Sequence, residues 1–250
     1  MRKLIAVAIL SLTFAALVCG LNHPVPVRAQ QMFQSLNYPT GLVGWWKLCG
    51  DTSATSGCNP SSSTTAYDSS GYGYNATWVG TCSGSSPYCY STTTEVGAYS
   101  GSFDGSTNYV YTTSVNSKTP TGNSPWSLIA WVNCGSSCAS YGYIFGTSTS
   151  LTLYLNPTNL ECGPFQSTLS LTVNAWHFVG CTWNGSTMTI YVDGSSQSSA
   201  ESALSLTTTW IYIGAKSNGQ DKWKSNIQDA RLYSRALGAG EMAQMYLAHN

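Results

Sequence analysis

Between Trp176 and Gly194 the chain reads WHFVGCTWNGSTMTIYVDG, and its side chains alternate with a period of two. Trp176, Phe178 and Gly180 fall on one face and His177, Val179, Cys181 and Trp183 on the other, as a strand requires. Asn184-Gly185 supplies backbone that tolerates positive φ, after which Met188, Ile190 and Val192 alternate against Thr189 and Tyr191. The segment predicts an antiparallel hairpin that ends at a second turn, Asp193-Gly194. Trp46, Trp126, Trp131, Trp176 and Tyr233 sit in strand patterns and are expected in the core. The polar stretches Thr52 to Thr65 and Ser195 to Ser205, rich in Ser, Thr and Gly, read as long loops. Turn signals recur too regularly to hide a linker, and no repeat of roughly 20 to 50 residues is evident, so the pattern predicts one domain.

The first residues carry a different pattern. Arg2 and Lys3 precede an apolar run from Leu4 to Val18, and Val27-Arg28-Ala29 fits a small-residue cleavage site. Residues 1–29 therefore read as a cleaved secretory signal, residues 30–40 as an N-terminal extension, and residues 41–250 as the folded domain. The apolar run is short and soon followed by Pro24 and Pro26, so no membrane insertion is expected.

Several further segments resemble the LamG-like jelly-roll domains of the concanavalin A-like lectin and glucanase superfamily, as does the 176–194 hairpin. Gly41 to Trp46 (GLVGWW) is similar to that family's opening strand and Asp68 to Gly73 (DSSGYG) to its Asp-Ser-Ser-Gly loop. Ser102 to Val110 (SFDGSTNYV) resembles its Phe-Asp-Gly turn, and Trp126 to Val132 (WSLIAWV) a central strand. Ile227 to Leu237 (IQDARLYSRAL) is similar to the closing strand, with Glu241 to Leu247 as a short helix. The pieces occur in the family's order over nearly all of residues 41–249. The resemblance implies an all-β fold, an antiparallel two-sheet jelly-roll β-sandwich with a short C-terminal helix. It does not imply one function, since the fold hosts lectins, adhesion modules, binding domains appended to enzymes, and some hydrolases.

Charge changes the picture. Only 8% of residues are charged, far below the usual quarter or so, and signal removal takes three of ten basic residues and no acidic ones, giving 7 − 10 = −3. Such a chain is not expected to bind nucleic acid or anionic membrane. A surface covered by hydroxyls and tyrosines instead suits hydrogen bonding to glycans or to copies of itself.

Signal removal also takes Cys19 and leaves eight cysteines, an even number that suggests four disulfides in a secreted chain, among roughly a hundred possible connectivities. Spacing favours Cys49 with Cys58, Cys82 with Cys89, Cys134 with Cys138, and Cys162 with Cys181. Zinc is disfavoured, because there is no Cys-x-x-Cys pair and the mature chain keeps two histidines.

Catalytic chemistry is sparse. A retaining glucanase needs two carboxyl groups about 5 Å apart, yet no two acidic residues lie closer than eight positions in sequence. His177 matches a position where the family places a structural residue, so the protein is not expected to be an enzyme. By resemblance, a structural calcium ion would use Asp68, Asn75 and Asp229, whereas Asp104 is better explained by the turn it opens. Loop aromatics beside polar side chains suit sugar rings, whose apolar faces stack on Trp and Tyr. Tyr72, Tyr74, Tyr143 and Trp223 are the candidate ligand residues, with Trp223 favoured because Lys222 and Lys224 flank it. Two functions follow, a secreted module that recognises carbohydrate or a glycosylated surface, or a structural subunit that assembles with itself, Gln30 to Pro39 pairing with a neighbour's sheet edge; a glycoside hydrolase is a lesser third.

Overall fold

The alternating segments become strands because period-two patterns can bury one row of side chains only by pairing into sheets. The computed structural model describes residues 40–48, 64–81, 89–95, 99–113, 117–136, 141–147, 150–207 and 210–248. In chain order the strands are β1 (Leu42–Trp46), β2 (Thr65–Ala66), β3 (Ala76–Val79), β4 (Tyr90–Ser91), β5 (Ser100–Asp104), β6 (Tyr109–Thr112), β7 (Trp126–Asn133) and β8 (Gly142–Thr147). They continue as β9 (Leu153–Asn156), β10 (Asn159–Cys162), β11 (Phe165–Ser170), β12 (Trp176–Trp183), β13 (Thr187–Val192), β14 (Ser195–Ala200), β15 (Ile211–Ile213) and β16 (Lys224–Tyr233). One helix, α1 (Ala239–Leu247), follows. Residues 1–29, expected from sequence to be a secretory leader, all of the expected extension but Thr40, and Cys49, Cys58, Cys82 and Cys138 lie outside the described residues.

Two antiparallel sheets form. The first runs β14-β13-β12-β7-β16-β5-β4, with β1 also paired to β16, and the second runs β11-β10-β9-β8-β15-β6-β3-β2. Between them lies one core that includes Trp46, Trp126, Trp183, Phe145, Ile190 and Leu232, all at 0% exposure. This is the expected antiparallel jelly-roll sandwich with a short helix after its last strand. Among the described residues no helix is long and apolar enough to cross a membrane.

The predicted hairpin is β12 and β13, in register from Val179 opposite Val192 to Trp183 opposite Met188. Its faces divide as the alternation requires: Val179, Cys181 and Trp183 enter the inter-sheet core, while Phe178 and Trp176 pack on the opposite side. One expectation is corrected. Ser195 to Ala200 is not loop but strand β14, paired to β13 over all six residues across the Asp193-Gly194 turn. Its sequence, SSQSSA, hides the strand because neither face is buried deeply enough to need an apolar row.

Cys162 and Cys181 are bonded, and the register shows what the bond does. Cys162 lies on β10 of the second sheet and Cys181 on β12 of the first, so the bridge crosses the core and ties sheet to sheet. Cys89 and Cys134 each take part in a further disulfide.

Candidate ligand-binding face

Each sheet has an outer face, and the two are treated differently. On the first, α1 covers Trp131, Phe178, Tyr191 and Tyr233 through Leu237, Met242 and Met245. Glu241 fixes the start of the helix by accepting from Gly238 N–H at 2.9 Å, and Arg235 holds that carboxylate at 2.5 and 2.8 Å. Gly180 leaves room beneath it: a Cβ there would come within 2.2 Å of Met242 Cε, and the end of that methionine would have to shift. The middle of this face is thus covered.

On the second sheet, the outward positions are aromatic. In Tyr109-Val110-Tyr111 the valine is buried and the tyrosines point away from the core, and in Trp210-Ile211-Tyr212 the isoleucine is buried in the same way. Register sets Tyr111 of β6 opposite Tyr212 of β15. Their ring centroids are 5.9 Å apart at 26°, Tyr111 meets Trp210 at 6.3 Å and 22°, and Tyr109 meets Tyr212 at 5.8 Å and 32°. Trp210, Tyr111 and Tyr212 are thus nearly parallel, whereas Tyr109 is tilted 53° from Tyr111; Tyr212 is itself buried at 9% exposure, and Trp210, 42% exposed, is the open member of this four-ring cluster.

Further along the same face Tyr143 of β8 lies opposite Tyr154 of β9, their rings stacked at 4.5 Å and 7°. Between this pair and the platform runs the segment 214–223. It crosses directly over Gly146, where a Cβ would meet Ala215 O at 2.5 Å. Lys216 from this segment reaches over Tyr143 and Lys222 over Tyr109, each 5.7 Å from the ring centroid. A groove of about 560 Å³ opens on the Tyr143 side, lined by Tyr143, Tyr154, Thr147, Ser150, Thr152 and Lys216 among others. Glu161, opposite Tyr154 on β10, is buried and accepts from Asn156 Nδ2 at 2.7 Å. Burial, and then the bond to Glu161, pushes the Tyr154 phenol well above its ordinary pKa; burial and the nearby Asp221 push Tyr143 in the same direction. Both keep neutral hydroxyls at physiological pH. The face therefore offers flat apolar rings, hydroxyls and two ammonium groups, but no activated nucleophile.

Of the ligand residues expected from sequence, Tyr143 belongs to this face. The expectation for Trp223 is corrected: it is 1% exposed, part of the core, and its indole N–H donates to Asn226 O at 3.3 Å. Lys222 and Lys224 turn outward while Trp223 turns inward, the ordinary in-out alternation, so flanking charge did not keep the ring at the surface. Tyr74 is corrected likewise, at 1% exposure with its hydroxyl 3.3 Å from Thr119 Oγ1. Tyr72 is 43% exposed and stacks on Tyr74 at 6.4 Å. Tyr109, Tyr111, Tyr154, Trp210 and Tyr212 were missed. The signal available for most of them was two aromatics bracketing one aliphatic residue.

The calcium set does not fit. Asp68 Oδ1 accepts from the N–H groups of Trp45 and Ser70, both at 2.9 Å, and Oδ2 from Ser70 Oγ at 2.7 Å and Tyr74 N at 2.9 Å. Asn75 Oδ1 accepts from Asp68 N at 2.9 Å. Asp229 is ion-paired with buried Arg231 at 2.6 Å and accepts from the Trp45 indole at 2.5 Å. Trp45 thus links the two aspartates through donors rather than leaving oxygens to face a common cation. Asp104 is the predicted turn residue. Burial alone would raise its pKa, but the Thr107 hydroxyl and the N–H groups of Ser106, Thr107 and Asn108 hold it down to about 2. His177 is structural, with Nδ1 2.6 Å from Asp193 Oδ2 and Nε2 2.9 Å from Thr172 Oγ1.

A two-sheet antiparallel sandwich with one outer face sealed by a helix and the other paved with tyrosines has the form of a lectin-type jelly roll. Residues 104–243 match the model of the concanavalin A-like lectin/glucanases superfamily, and the chain belongs to that superfamily. No curated protein matches its sequence. Among solved structures it is similar to domain 4 of an extracellular GH43 arabinanase from Geobacillus stearothermophilus, in complex with arabinotriose. That likeness has a TM-score of 0.59 at 15% identity, over 82% of this chain and 98% of that one. It is also similar to the sialidase of Trypanosoma rangeli in complex with sialic acid, with a TM-score of 0.58 at 16% identity over 85% of this chain. The chain spans 33% of that enzyme's length. At these identities the likeness is one of fold.

Proposed function

We propose that this domain is a secreted, non-catalytic module that binds glycan on the outer face of its second sheet. The observation that carries the reading is the aromatic cluster of Trp210, Tyr111, Tyr212 and Tyr109 on this face, in which the exposed Trp210 ring, backed by Tyr111, offers an apolar surface on which a sugar face stacks. The hydroxyls and Lys216 of the adjoining groove supply polar partners for a second part of the same ligand. A similar fold accompanies arabinotriose in the arabinanase domain, which supports a sugar as the ligand class. The non-catalytic reading is supported by the state of the carboxylates on this face: Glu161 is tied to Asn156, and Asp221 is paired with Lys216 at 3.4 Å. Neither is placed as one of two free carboxyl groups flanking a bond.

Affinity electrophoresis against soluble polysaccharides, arabinan and sialylated glycans included, tests the proposal. Trp210→Ala should weaken retention about tenfold or more while leaving the melting temperature nearly unchanged, because the ring is exposed. Equal retention of wild type and variant would remove the platform from the site. Failure to bind any member of the panel would retire the reading.

A further inference from the structure

Sheet edges need protection, and among the described residues four of the five are covered or too short to matter. Strands β2 and β4 are two residues each. The open side of β1 is met by residues 68 and 69, with Ser69 N–H bonded to Trp45 O at 2.7 Å. On β11 the N–H of Thr168 is taken by Gln197 Oε1 at 2.7 Å, a side chain of β14 that stitches the two sheets together. Strand β14 is different. It is six residues long, largely exposed, without charge, proline or a register shift, and among the described residues no backbone bond is made to its far side.

The turn geometry says which groups are open. The two-residue turn Asp193-Gly194 makes Val192 and Ser195 a pair that exchanges both backbone bonds, and alternation extends this to Ile190 with Gln197 and Met188 with Ser199. The bond from Glu201 N to Ser186 O at 3.0 Å confirms the phase. The N–H and C=O groups of Ser196, Ser198 and Ala200 therefore point away from the sheet.

We infer that β14 is a self-pairing edge, which joins antiparallel to β14 of a second copy with Ser198 on the two-fold axis. In that register Ser196 faces Ala200 of the other copy, and three residue pairs exchange about six backbone hydrogen bonds. The strand complements itself: side chains facing each other across the seam are small, and no like charges meet. Glu201 of one copy falls opposite Ser195 of the other, so the two glutamates lie at opposite ends. The nearest other acid, Asp193, is already held by His177. Gln197, anchored on Thr168 by bonds of 2.7 and 2.5 Å, holds the edge in strand form before a partner arrives. The inference is independent of the glycan reading, because β14 lies on the other sheet from the platform.

The test uses the full secreted chain at dilute and concentrated protein, with residue-resolved amide exchange and sedimentation velocity. At high concentration a dimer should form, and exchange should slow at Ser196, Ser198 and Ala200 while Ser195, Gln197 and Ser199, already bonded to β13, stay unchanged. Ser198→Pro removes an outward N–H without touching the β13 bonds, and Ser198→Lys sets two charges at the axis; each should weaken dimerisation roughly tenfold or more. Exchange that ignores concentration overturns the inference. So does a dimer that survives both substitutions, which would place the contact between copies elsewhere, for instance in the N-terminal segment.

Discussion

Replacing Cys162 and Cys181 together by alanine should cost this domain about 3 kcal/mol from the chain-entropy term alone. The bond closes a separation of 19 residues, and the loop-closure relation, with an entropy of roughly −2.1 − 1.5R ln n cal/mol/K, gives about 3 kcal/mol at room temperature. Both residues are 0% exposed, so deleting two sulfurs from a packed core adds a cavity cost of about 1–2 kcal/mol. For a chain of this size each kcal/mol moves the midpoint by roughly 2–4 °C, so the double variant should melt about 10 °C below wild type. The double substitution is preferred to reduction, because Cys89 and Cys134 are also bridged and a reductant would open every bond at once. Differential scanning calorimetry of both proteins under oxidising conditions is the measurement. A midpoint within about 2 °C of wild type would refute the reasoning: either the bridge does not form, or it does not limit the unfolded chain.

His177 should make stability depend on pH. Burial, the largest single influence, opposes its protonation, but the bond to Asp193, that carboxylate's charge and the Thr172 backbone bond together outweigh it and hold its pKa above the ordinary 6.5. A raised folded value means the stabilisation is complete below the unfolded value and fades as pH rises through the folded one. Melting followed from about pH 5 to 8 should show that decline, and His177→Gln should flatten it. Asp229→Ala should destabilise the domain by about 3–5 kcal/mol, because it leaves the Arg231 guanidinium buried without its carboxylate; chemical denaturation measures it. With Asp68 and Asp229 already occupied by N–H and O–H donors, millimolar calcium and chelator should give the same melting temperature, and a rise of several degrees with calcium would show that those donors swing aside.

Most of the architecture was legible in the sequence because the buried strands announce themselves. Every residue of β7, WSLIAWVN, is buried, and β12 alternates cleanly between two packed faces. Strand β14 was not legible, since an edge strand exposed on both sides has no reason to alternate. The candidate site was only partly legible for a related reason. Tyr143 was found but Tyr109, Tyr111, Tyr154 and Tyr212 were not, because an outward tyrosine in a strand looks the same in sequence as one that covers backbone. Only pairing register reveals which outward rings become neighbours. Trp223 failed in the opposite sense, its lysine neighbours marking the solvent side of an alternation rather than the exposure of the ring between them. For Asp229 the decisive partner was two residues away: Arg231 turns the expected metal ligand into half of a buried ion pair.

The position of β16 in its sheet has a temporal consequence. It is the last strand in chain order, yet it is bonded to β7 on one side and to β5 and then β1 on the other, joining Tyr233 to Leu42. Contacts so distant along the chain give the fold a high contact order, and they cannot begin to form while a ribosome is still adding residues beyond Lys224. Until then β7, whose every residue is destined for burial, has β12 as its one sheet neighbour, and the pieces on either side of the gap are separate half-sheets. The nascent chain thus carries β7 unpaired until β12 is made and half paired until β16 is made, a window in which a holding chaperone would matter more than for a fold assembled from local hairpins.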